Sequence, residues 1–419
     1  MRGRYQAVRQ RSVDLAAPLQ VEDTVVQTMP DVSPTKWHLA HTTWFFETFV
    51  LDRFSPSYTP VCPDYRVLFN SYYVGVGPRF ERARRGTLSR PTLDEISSYR
   101  AQVDARVLER IGALEGEALQ LALTTLELGL HHERQHQELM VTDFKHVLAT
   151  NPLACRYRAP APPPPRSAVS EAFSLVEGGL VSVGHRGNGF AFDNERPRHR
   201  VFLRDFALAR DLVTSAAFIE FIEDGGYERA ELWLSDGWDW VRGEGVHAPL
   251  YWGREDGVWR EATLYGRRPV DGDAPVTHVS YYEADAYARW RGLRLPTEHE
   301  WEHAVTGAFD ALAPGTLLEA DQLHPVGRTA EAGGHVPRDL IGEVWEWTSS
   351  AYLPYPGYRC PEGAVGEYNG KFMSNQMVLR GGSIATASDH IRPSYRNFFG
   401  PDKRWQFTGI RLARDVEAS

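Results

Sequence analysis

A run of four consecutive prolines at residues 162–165 divides the chain into two parts of different character. Proline runs adopt the extended polyproline II conformation and act as stiff spacers outside any packed core. A chain of 419 residues is also longer than one hydrophobic core usually organises. We therefore expect a helical domain over residues 1–157, a proline-rich linker over 158–171 and a mixed α and β domain over 172–419.

Helical periodicity dominates the first part. Apolar side chains recur at helical spacing up to residue 51 in a segment that opens at Pro34, where the missing N–H of proline costs nothing. Two further helical patterns run over about 91–111 and about 116–149, and shorter amphipathic segments precede residue 30. Apart from an irregular insertion at 55–90, this pattern predicts a four-helix bundle, a fold that commonly holds metal ions between facing helices.

Three histidines in these helices have the arrangement of a metal site. His132 and His136 are four residues apart, so on a helix their imidazoles project from the same face. His41 lies one turn from both Trp37 and Phe45, which predicts that it faces inward. Paired histidines on a helix are more often ordinary surface or core residues than ligands. The third histidine, in a separate inward-facing stripe, is what favours metal binding.

Charge and cysteine content exclude several classes of protein. The net charge of −9 argues against a nucleic-acid partner, because phosphate binding requires a basic face. No apolar run reaches the length of a membrane span, and the N-terminus lacks the apolar core of a signal peptide. Cys62, Cys155 and Cys360 are far apart and odd in number, which favours a reducing compartment over a disulfide framework. We expect a cytoplasmic protein with no nucleic-acid or membrane partner.

The second part of the chain resembles the formylglycine-generating-enzyme (sulfatase-modifying-factor) family, which has a C-type-lectin-like fold. The resemblance lies in five segments in the family's order, at residues 276–281, 292–302, 341–348, 378–383 and 407–412. The first part resembles DinB-like four-helix metal proteins. The resemblance implies an α+β multidomain protein, in which a DinB-like four-helix bundle is followed by a C-type-lectin-like domain.

This order of domains is that of the ergothioneine-biosynthesis sulfoxide synthases. The sequence is similar to their motifs at Trp37-His38-Leu39-Ala40-His41, at His132 and His136, and at Asn397-Phe398-Phe399. In that family an Fe(II) ion held by three histidines activates O2. The enzyme joins a thiol sulfur to C2 of the imidazole of hercynine (Nα-trimethylhistidine) and oxidises the sulfur to the sulfoxide. The resemblance implies His41, His132 and His136 as Fe(II) ligands, with hercynine, cysteine and O2 as partners. Three neutral imidazoles leave coordination positions open for these.

The resemblance also assigns roles within and near the insertion. Tyr72 and Tyr73 are similar to adjacent tyrosines that, in one branch, supply a proton or hydrogen atom and favour C–S bond formation over thiol dioxygenation. The alternative is that this pair merely packs the insertion against the bundle. Gln137, which follows His136 in the sequence, is expected to orient a ligand or reach the substrate.

A basic run follows the tyrosines. Arg79 and Arg82 are similar to the family's arginines that hold the carboxylates of the thiol substrate, a task suited to bidentate guanidinium groups. For Arg84 and Arg85 a solvated charged loop is an almost equally good interpretation.

The hercynine pocket is expected in the second domain. A trimethylammonium group cannot donate a hydrogen bond, so aromatic faces are its natural partners, and Asn397 would hold the polar end of the substrate. The residues assigned to this pocket are Arg392, Arg396, Asn397, Phe398, Phe399 and Trp405. Phe399 stands where the γ-glutamylcysteine-using branch carries an acidic residue, which favours free cysteine as thiol donor. The alternative is that these aromatic residues are simply core.

Four other functions are weighed against this interpretation. The same reaction could use γ-glutamylcysteine, and a zinc DinB-type thiol S-transferase would share the three-histidine bundle without the large second domain. Formylglycine generation is disfavoured, because its paired-cysteine site lies near the end of the domain and this chain has no cysteine after Cys360. A non-catalytic lectin-like binding module is the fourth, and it would bind no metal.

Overall fold

A computed structural model describes residues 1–153, 155–160, 162, 165–306, 315–327, 337–363 and 366–416. The chain divides into two compact units. The first comprises Met1–Arg158 with Pro361–Tyr368, and the second comprises Ala159–Cys360 with Asn369–Ser419. The expected linker at 158–171 lies partly outside the described residues. No helix within the described ranges is long and apolar enough to cross a membrane.

Four long helices build the first unit. They are α1 (Arg2–Ala16), α2 (Thr35–Phe46), α3 (Leu93–Ala113) and α4 (Gly116–Thr150). A π-helical turn, Glu47–Leu51, and a short α-helical turn, Asp52–Phe54, continue α2. Shorter helical turns lie at Glu22–Val25, Tyr65–Leu68, Val74–Val76 and Arg82–Thr87. The prediction that the first part of the chain is helical is confirmed.

Helix α2 is the central element of this unit. It packs against α3 and α4, while α1 packs against α4. Every residue from Thr35 to Phe46 is buried, so α2 has no solvent-facing side. The apolar stripe predicted from the sequence therefore understates the burial of α2, because the polar residues on the other faces of this helix are buried as well.

A buried charge cluster ties three of the helices together. Glu133 on α4 accepts hydrogen bonds from Arg9 on α1, at 2.9 Å, from Arg100 on α3 and from Ser12 at 2.6 Å. Burial by itself would raise the pKa of Glu133, but Arg100 and Arg9 outweigh it and lower the pKa to about 2. Loss of one partner would leave an uncompensated buried charge, which costs about 3–5 kcal/mol.

The second unit combines short strands with short helices. Its helices are α5 (Ser215–Glu223), α6 (Ser235–Glu244), α7 (Tyr281–Trp290) and α8 (Glu298–Thr306). Its strands are β1 (Phe173–Val176), β2 (Gly179–Val183), β3 (His199–Leu203), β4 (Phe206–Ala209), β5 (Trp252–Glu255), β6 (Val258–Thr263), β7 (Gly266–Pro269), β8 (Trp345–Ala351), β9 (Met377–Arg380), β10 (Asn397–Phe399), β11 (Thr408–Gly409) and β12 (Ala413–Asp415). Helical turns occur at Asp193–Glu195, Gly226–Glu228, Ala230–Leu232 and Leu318–Ala320, and a further turn, Glu367–Gly370, begins in the segment assigned to the first unit.

The strands pair across long stretches of sequence. The sheet orders are β10-β9-β8-β11, β1-β4-β12, β5-β6-β7 and β2-β3. β12 pairs with β4 in the register Ala413↔Leu208, so the end of the chain completes a sheet begun near its middle. Trp301 of α8 is fully buried in a core with residues of β2, β3 and β4. The expected α+β character is confirmed.

Candidate metal centre

Three histidines from α2 and α4 converge in the interior of the first unit. His41 lies on α2, and His132 and His136 lie one turn apart on α4. Each offers one ring nitrogen, and these nitrogens all lie within 4.8 Å of one another. The Nε2 atoms of His41 and His132 are 3.2 Å apart. The arrangement matches the set of ligands expected from the sequence.

The donor set suits a metal ion. The Nδ1 atom of His41 lies 2.6 Å from the carbonyl oxygen of Phe69, which only accepts, so Nδ1 carries the proton and Nε2 keeps its lone pair. The Nδ1 atom of His132 is buried and has no hydrogen-bond partner among the described residues. Its Nε2 therefore remains the nitrogen that can interact, and it is directed at His41. A cation between these nitrogens would satisfy lone pairs that otherwise meet each other.

The imidazoles are held neutral. Burial lowers the pKa of His132 to about 4. Burial, followed by the charges of neighbouring histidines, holds the pKa values of His41 and His136 well below the usual 6.5. A neutral imidazole is the form that coordinates a metal, so at neutral pH the three rings are ready to bind without first losing protons.

His38 connects the site to a buried carboxylate. Its Nδ1 lies 2.8 Å from Nδ1 of His136, and its Nε2 lies 2.9 Å from Oδ2 of Asp143. That oxygen also accepts the backbone N–H of Ser33 at 2.8 Å. Sequence reasoning did not single out Asp143. The available signal was that Asp143 follows His136 by seven residues, two helical turns along the same face.

A stack of planar groups flanks His41. The ring of Trp37 lies 4.6 Å from that of His41 at an interplanar angle of 10°. The Arg85 guanidinium lies 3.4 Å from the centroid of Trp37 on the other side. Arg85 donates to the hydroxyls of Ser33 at 2.9 Å and Ser71 at 3.1 Å.

Arg85 is a buried cation with neutral partners. Its burial, followed by the nearby charge of Arg82, lowers its pKa to about 9. Its Nε atom is buried without a hydrogen-bond partner in the described part of the chain. The interpretation of Arg85 as part of a solvated loop is therefore wrong, whereas Arg84 is exposed as that interpretation requires.

The two tyrosines of the insertion have different surroundings. Tyr73 is buried, with its ring 5.7 Å from Trp44 and 6.3 Å from Phe45. Phe45 in turn stacks on His132 at 4.6 Å, so one aromatic ring separates Tyr73 from a predicted ligand. Tyr72 is half-buried, and its hydroxyl accepts a hydrogen bond from Arg82 at 2.5 Å.

Two other residues of the first unit do not contact the histidines. Arg79 is exposed and donates to the carbonyl oxygen of Ser71 at 2.9 Å. Gln137 is fully buried, and its amide donates to the Val8 carbonyl at 2.8 Å and to Ser12 at 3.0 Å. Its amide is thus directed at α1, and the role expected for Gln137 at a ligand or at the substrate stays a prediction.

The two arginines assigned to the hercynine pocket form ion pairs with glutamates of the second unit. Arg396 is buried, and its Nε and Nη2 donate to Glu298 at 2.8 and 2.9 Å. Arg392 forms a two-pronged ion pair with Glu195 and donates to the His390 carbonyl at 2.7 Å. These ion pairs place Arg392 and Arg396 among the contacts that hold the second unit together, and their assignment to the substrate pocket stays a prediction.

The remaining pocket residues divide between the two faces of β10. Phe398 stacks on Tyr352 with ring centroids 4.1 Å apart, on one face of the strand. Asn397 and Phe399 share the opposite face, because side chains alternate along a strand. Phe399 meets the edge of Trp405 at 5.6 Å. Asn397, Phe399 and Trp405 therefore remain the candidates for this pocket.

Comparison with known proteins gives the family. The sulfatase-modifying factor enzyme 1-like domain matches residues 159–328 and 316–416, and the DinB superfamily matches residues 4–140. The hercynine oxygenase of Mycolicibacterium smegmatis is 34% identical over 414 residues, covering 92% of both chains. That of Mycolicibacterium thermoresistibile is 35% identical, covering 93% of this chain and 89% of its own. The formylglycine-generating enzyme of Streptomyces coelicolor is 31% identical, covering 65% of this chain and 97% of its own. The chain belongs to the hercynine oxygenase family and carries a DinB-like helical domain followed by a sulfatase-modifying-factor-like domain.

Proposed function

We propose that this oxygenase is an Fe(II)- and O2-dependent sulfoxide synthase of ergothioneine biosynthesis, which joins the sulfur of cysteine to C2 of the hercynine imidazole. The C2–H and S–H bonds break, a C–S bond forms, one oxygen atom of O2 goes to sulfur and the other leaves as water. The single observation that supports it most is the convergence of His41, His132 and His136, in a chain whose relatives are named hercynine oxygenases.

The three histidines would hold Fe(II), which supplies O2 binding and redox chemistry. Their neutral nitrogens add no negative charge, and a set of three leaves positions for substrates. The aromatic groups Trp37, Trp44 and Phe45 line the same rings and exclude water from them. The protein would thereby surround the ion with neutral donors and apolar rings.

Arg85 is the best candidate to receive the carboxylate of the thiol substrate. Arg85 stacks on Trp37 and donates its hydrogen bonds to hydroxyl groups, so a buried positive charge has no carboxylate among these partners, and an arriving carboxylate would compensate it. Arg82, which donates a hydrogen bond to the Tyr72 hydroxyl, would assist it. Arg79, exposed and bonded to a backbone carbonyl, is the weaker of the two arginines predicted from the sequence.

The trimethylammonium group of hercynine would meet aromatic faces rather than hydrogen-bond acceptors, a role for which Phe399 and Trp405 are suited. Asn397 would hold the polar end of hercynine. Phe399 places no acidic group on this face, which favours cysteine over γ-glutamylcysteine. All three cysteines of the chain are free thiols, in keeping with the reducing cytoplasm that we expect for an enzyme with a thiol substrate.

A zinc-dependent thiol S-transferase is the second candidate. The observation that favours it is the donor set itself, because three imidazoles with an open position also suit Zn²⁺. The two functions differ in their need for O2 and in the oxygen atom added to the product.

The test is reconstitution of the metal-free protein with Fe(II) under anaerobic conditions, followed by O2, hercynine and either thiol. We expect the mass of hercynylcysteine sulfoxide when cysteine is supplied. His132→Ala should abolish both metal binding and product, while His131→Ala is the matched control. His131 is a buried histidine on the same helix, and its Nε2 lies 2.9 Å from a guanidinium nitrogen of Arg4.

Each alternative has its own outcome. Product only with γ-glutamylcysteine would keep the reaction and overturn the role given to Phe399. Thiol transfer with Zn²⁺ and without O2 would replace the synthase by the transferase. Metal binding by His132→Ala equal to that of the unmodified protein would exclude the three-histidine site.

A further inference from the structure

We propose that His38 and Asp143 are positioning residues that fix the ring orientation and the tautomer of His136 and make it the most electron-rich of the three ligands. This inference rests on the metal site of the proposed function. His38 lies inside the Trp37–His41 motif, but neither that motif nor the names of the relatives give His38 or Asp143 this role.

The geometry forms one continuous chain of contacts across the interior. His136 Nδ1 meets His38 Nδ1 at 2.8 Å, and His38 Nε2 meets Asp143 Oδ2 at 2.9 Å. His38 and Asp143 are each 2% exposed, so water does not compete for these contacts. The backbone N–H of Ser33, just before α2, holds the same carboxylate oxygen at 2.8 Å. The carboxylate is therefore fixed from two sides.

The direction of each hydrogen bond follows from the carboxylate. An ionised carboxylate only accepts, so His38 Nε2 is the donor to Asp143. The neutral His38 ring then has a lone pair on Nδ1, and His136 Nδ1 must be the donor to it. His136 is left with its lone pair on Nε2, the nitrogen that faces the other two histidines. Reversing the chain would place a proton on that nitrogen and block coordination.

The three predicted ligands differ in the partner of the ring nitrogen that faces away from the site. His41 donates to the neutral carbonyl oxygen of Phe69, and the outer nitrogen of His132 has no partner in the described structure. Among the hydrogen bonds of the described residues, those of His136 are the ones that lead from a predicted ligand to a carboxylate, by way of His38. A carboxylate behind a ligating histidine raises its basicity and fixes its ring, and removal of such partners typically weakens metal binding about 10–100-fold.

Four variants separate this role from simple packing. His38→Leu removes the acceptor for His136. His38→Asn retains an acceptor oxygen close to the position of Nδ1, and Asp143→Asn retains acceptance but removes the charge. His146→Leu is the control, because His146 is a buried histidine of the same helix that bonds to Thr28 at 2.6 Å.

The measurements are the Co²⁺ dissociation constant, by competition with a chelator, and the visible ligand-field spectrum of the Co²⁺-loaded protein. Thermal unfolding of each metal-free variant is recorded beside them. We expect His38→Leu to weaken Co²⁺ binding about 10–100-fold and to shift the spectrum. His38→Asn should recover most of that affinity. Asp143→Asn should shift the spectrum with a smaller loss, and His146→Leu should change neither.

Several outcomes would overturn the proposal. His38→Leu with unchanged affinity and spectrum would show that His136 needs no such support, while the metal site itself would stand. Equal losses of Co²⁺ affinity in His38→Leu and His38→Asn would reduce His38 to a packing role. If His38→Leu does not fold, the Co²⁺ affinity of His38→Asn alone decides between the two roles. Failure of the unmodified protein to bind Co²⁺ would overturn this inference and the metal site together.

Discussion

At the scale of single residues, burial determines the chemistry of the three predicted ligands. A histidine in water takes up a proton near pH 6.5, whereas burial lowers the pKa of His132 to about 4 and those of His41 and His136 well below their usual value. Protons compete with a metal ion only when they can bind the same nitrogens. Between pH 6.5 and about 4, therefore, the folded site resists protonation that an exposed site would undergo.

This resistance predicts a flat pH dependence. The Co²⁺ affinity of the protein should change little between pH 7.5 and pH 5.5, and should fall as the pH approaches 4. A peptide carrying His132 and His136 in unfolded form should instead lose affinity steadily below pH 6.5. Chelator competition at a series of pH values measures both. Parallel loss of affinity in protein and peptide would show that burial does not protect the site.

The two adjacent tyrosines predict separable effects. Tyr73 is one aromatic ring from His132, so Tyr73→Phe should reduce sulfoxide formation at least tenfold and raise the share of cysteine dioxygenation. Tyr72 is bonded to Arg82, so Tyr72→Phe should mainly raise the KM for cysteine. Product ratios from mass spectrometry and KM values for both thiols measure these effects. The opposite pattern would exchange the two roles.

The direction of a side chain could be predicted from the sequence where helical periodicity determines it. His132 and His136 share a face by spacing alone, and the apolar stripe of α2 indicates the direction of His41. Gln137 and Arg396 were not predictable, because their partners are Val8 and Glu298, about a hundred residues or more away in sequence. A polar side chain beside a ligand is directed by whichever element packs on it, and sequence spacing contains no information on that.

At the scale of elements, local signals set the helix boundaries. Thr92 caps α3 by accepting the N–H of Glu95 at 3.2 Å, while Glu95 accepts the N–H of Thr92 at 2.6 Å. The π-helical turn after α2 had no such signal. Its first residue, Glu47, is held by the hydroxyls of Tyr58 at 2.8 Å and Tyr99 at 2.6 Å, which only the fold brings near.

The close approach of α2 and α4 gives a prediction at this scale. A Cβ atom at Gly129 would lie 2.5 Å from Phe46 and 2.8 Å from Phe45, the ring that stacks on His132. Gly129→Ala should therefore destabilise the first unit by about 1–3 kcal/mol despite its better helix propensity, and weaken metal binding.

The matched control for that substitution is Gly112→Ala in α3, where a Cβ atom would meet nothing within 4 Å. It should stabilise the helix by up to about 1 kcal/mol and leave metal binding unchanged. Chemical denaturation of both metal-free variants, with Co²⁺ titration, makes the comparison. Equal behaviour of the two alanine variants would mean that the helices can separate at Gly129 without cost.

At the scale of the whole molecule, the two units were predictable to different depths. The first is dominated by contacts within and between a few long helices, which local periodicity reveals. The second depends on pairings such as Ala413 with Leu208, and its strands are as short as Thr408–Gly409. Turn residues predict that such strands exist, but long-range pairing is decided by the assembled core, so only the mixed class could be derived from pattern.

This division predicts where a bound metal stabilises the chain. All three predicted ligands lie in the first unit, and an ion at 100 times its dissociation constant would stabilise the folded site by about 2.7 kcal/mol. Loading with Co²⁺ should therefore slow amide hydrogen exchange in α2 and in the middle of α4, because openings that break the site become rarer. Exchange in β8 and β9 of the second unit should stay as it is, and His132→Ala should remove the effect. Equal slowing in β8 and β9 would mean that the two units open together, and that the metal stabilises the chain as one cooperative body.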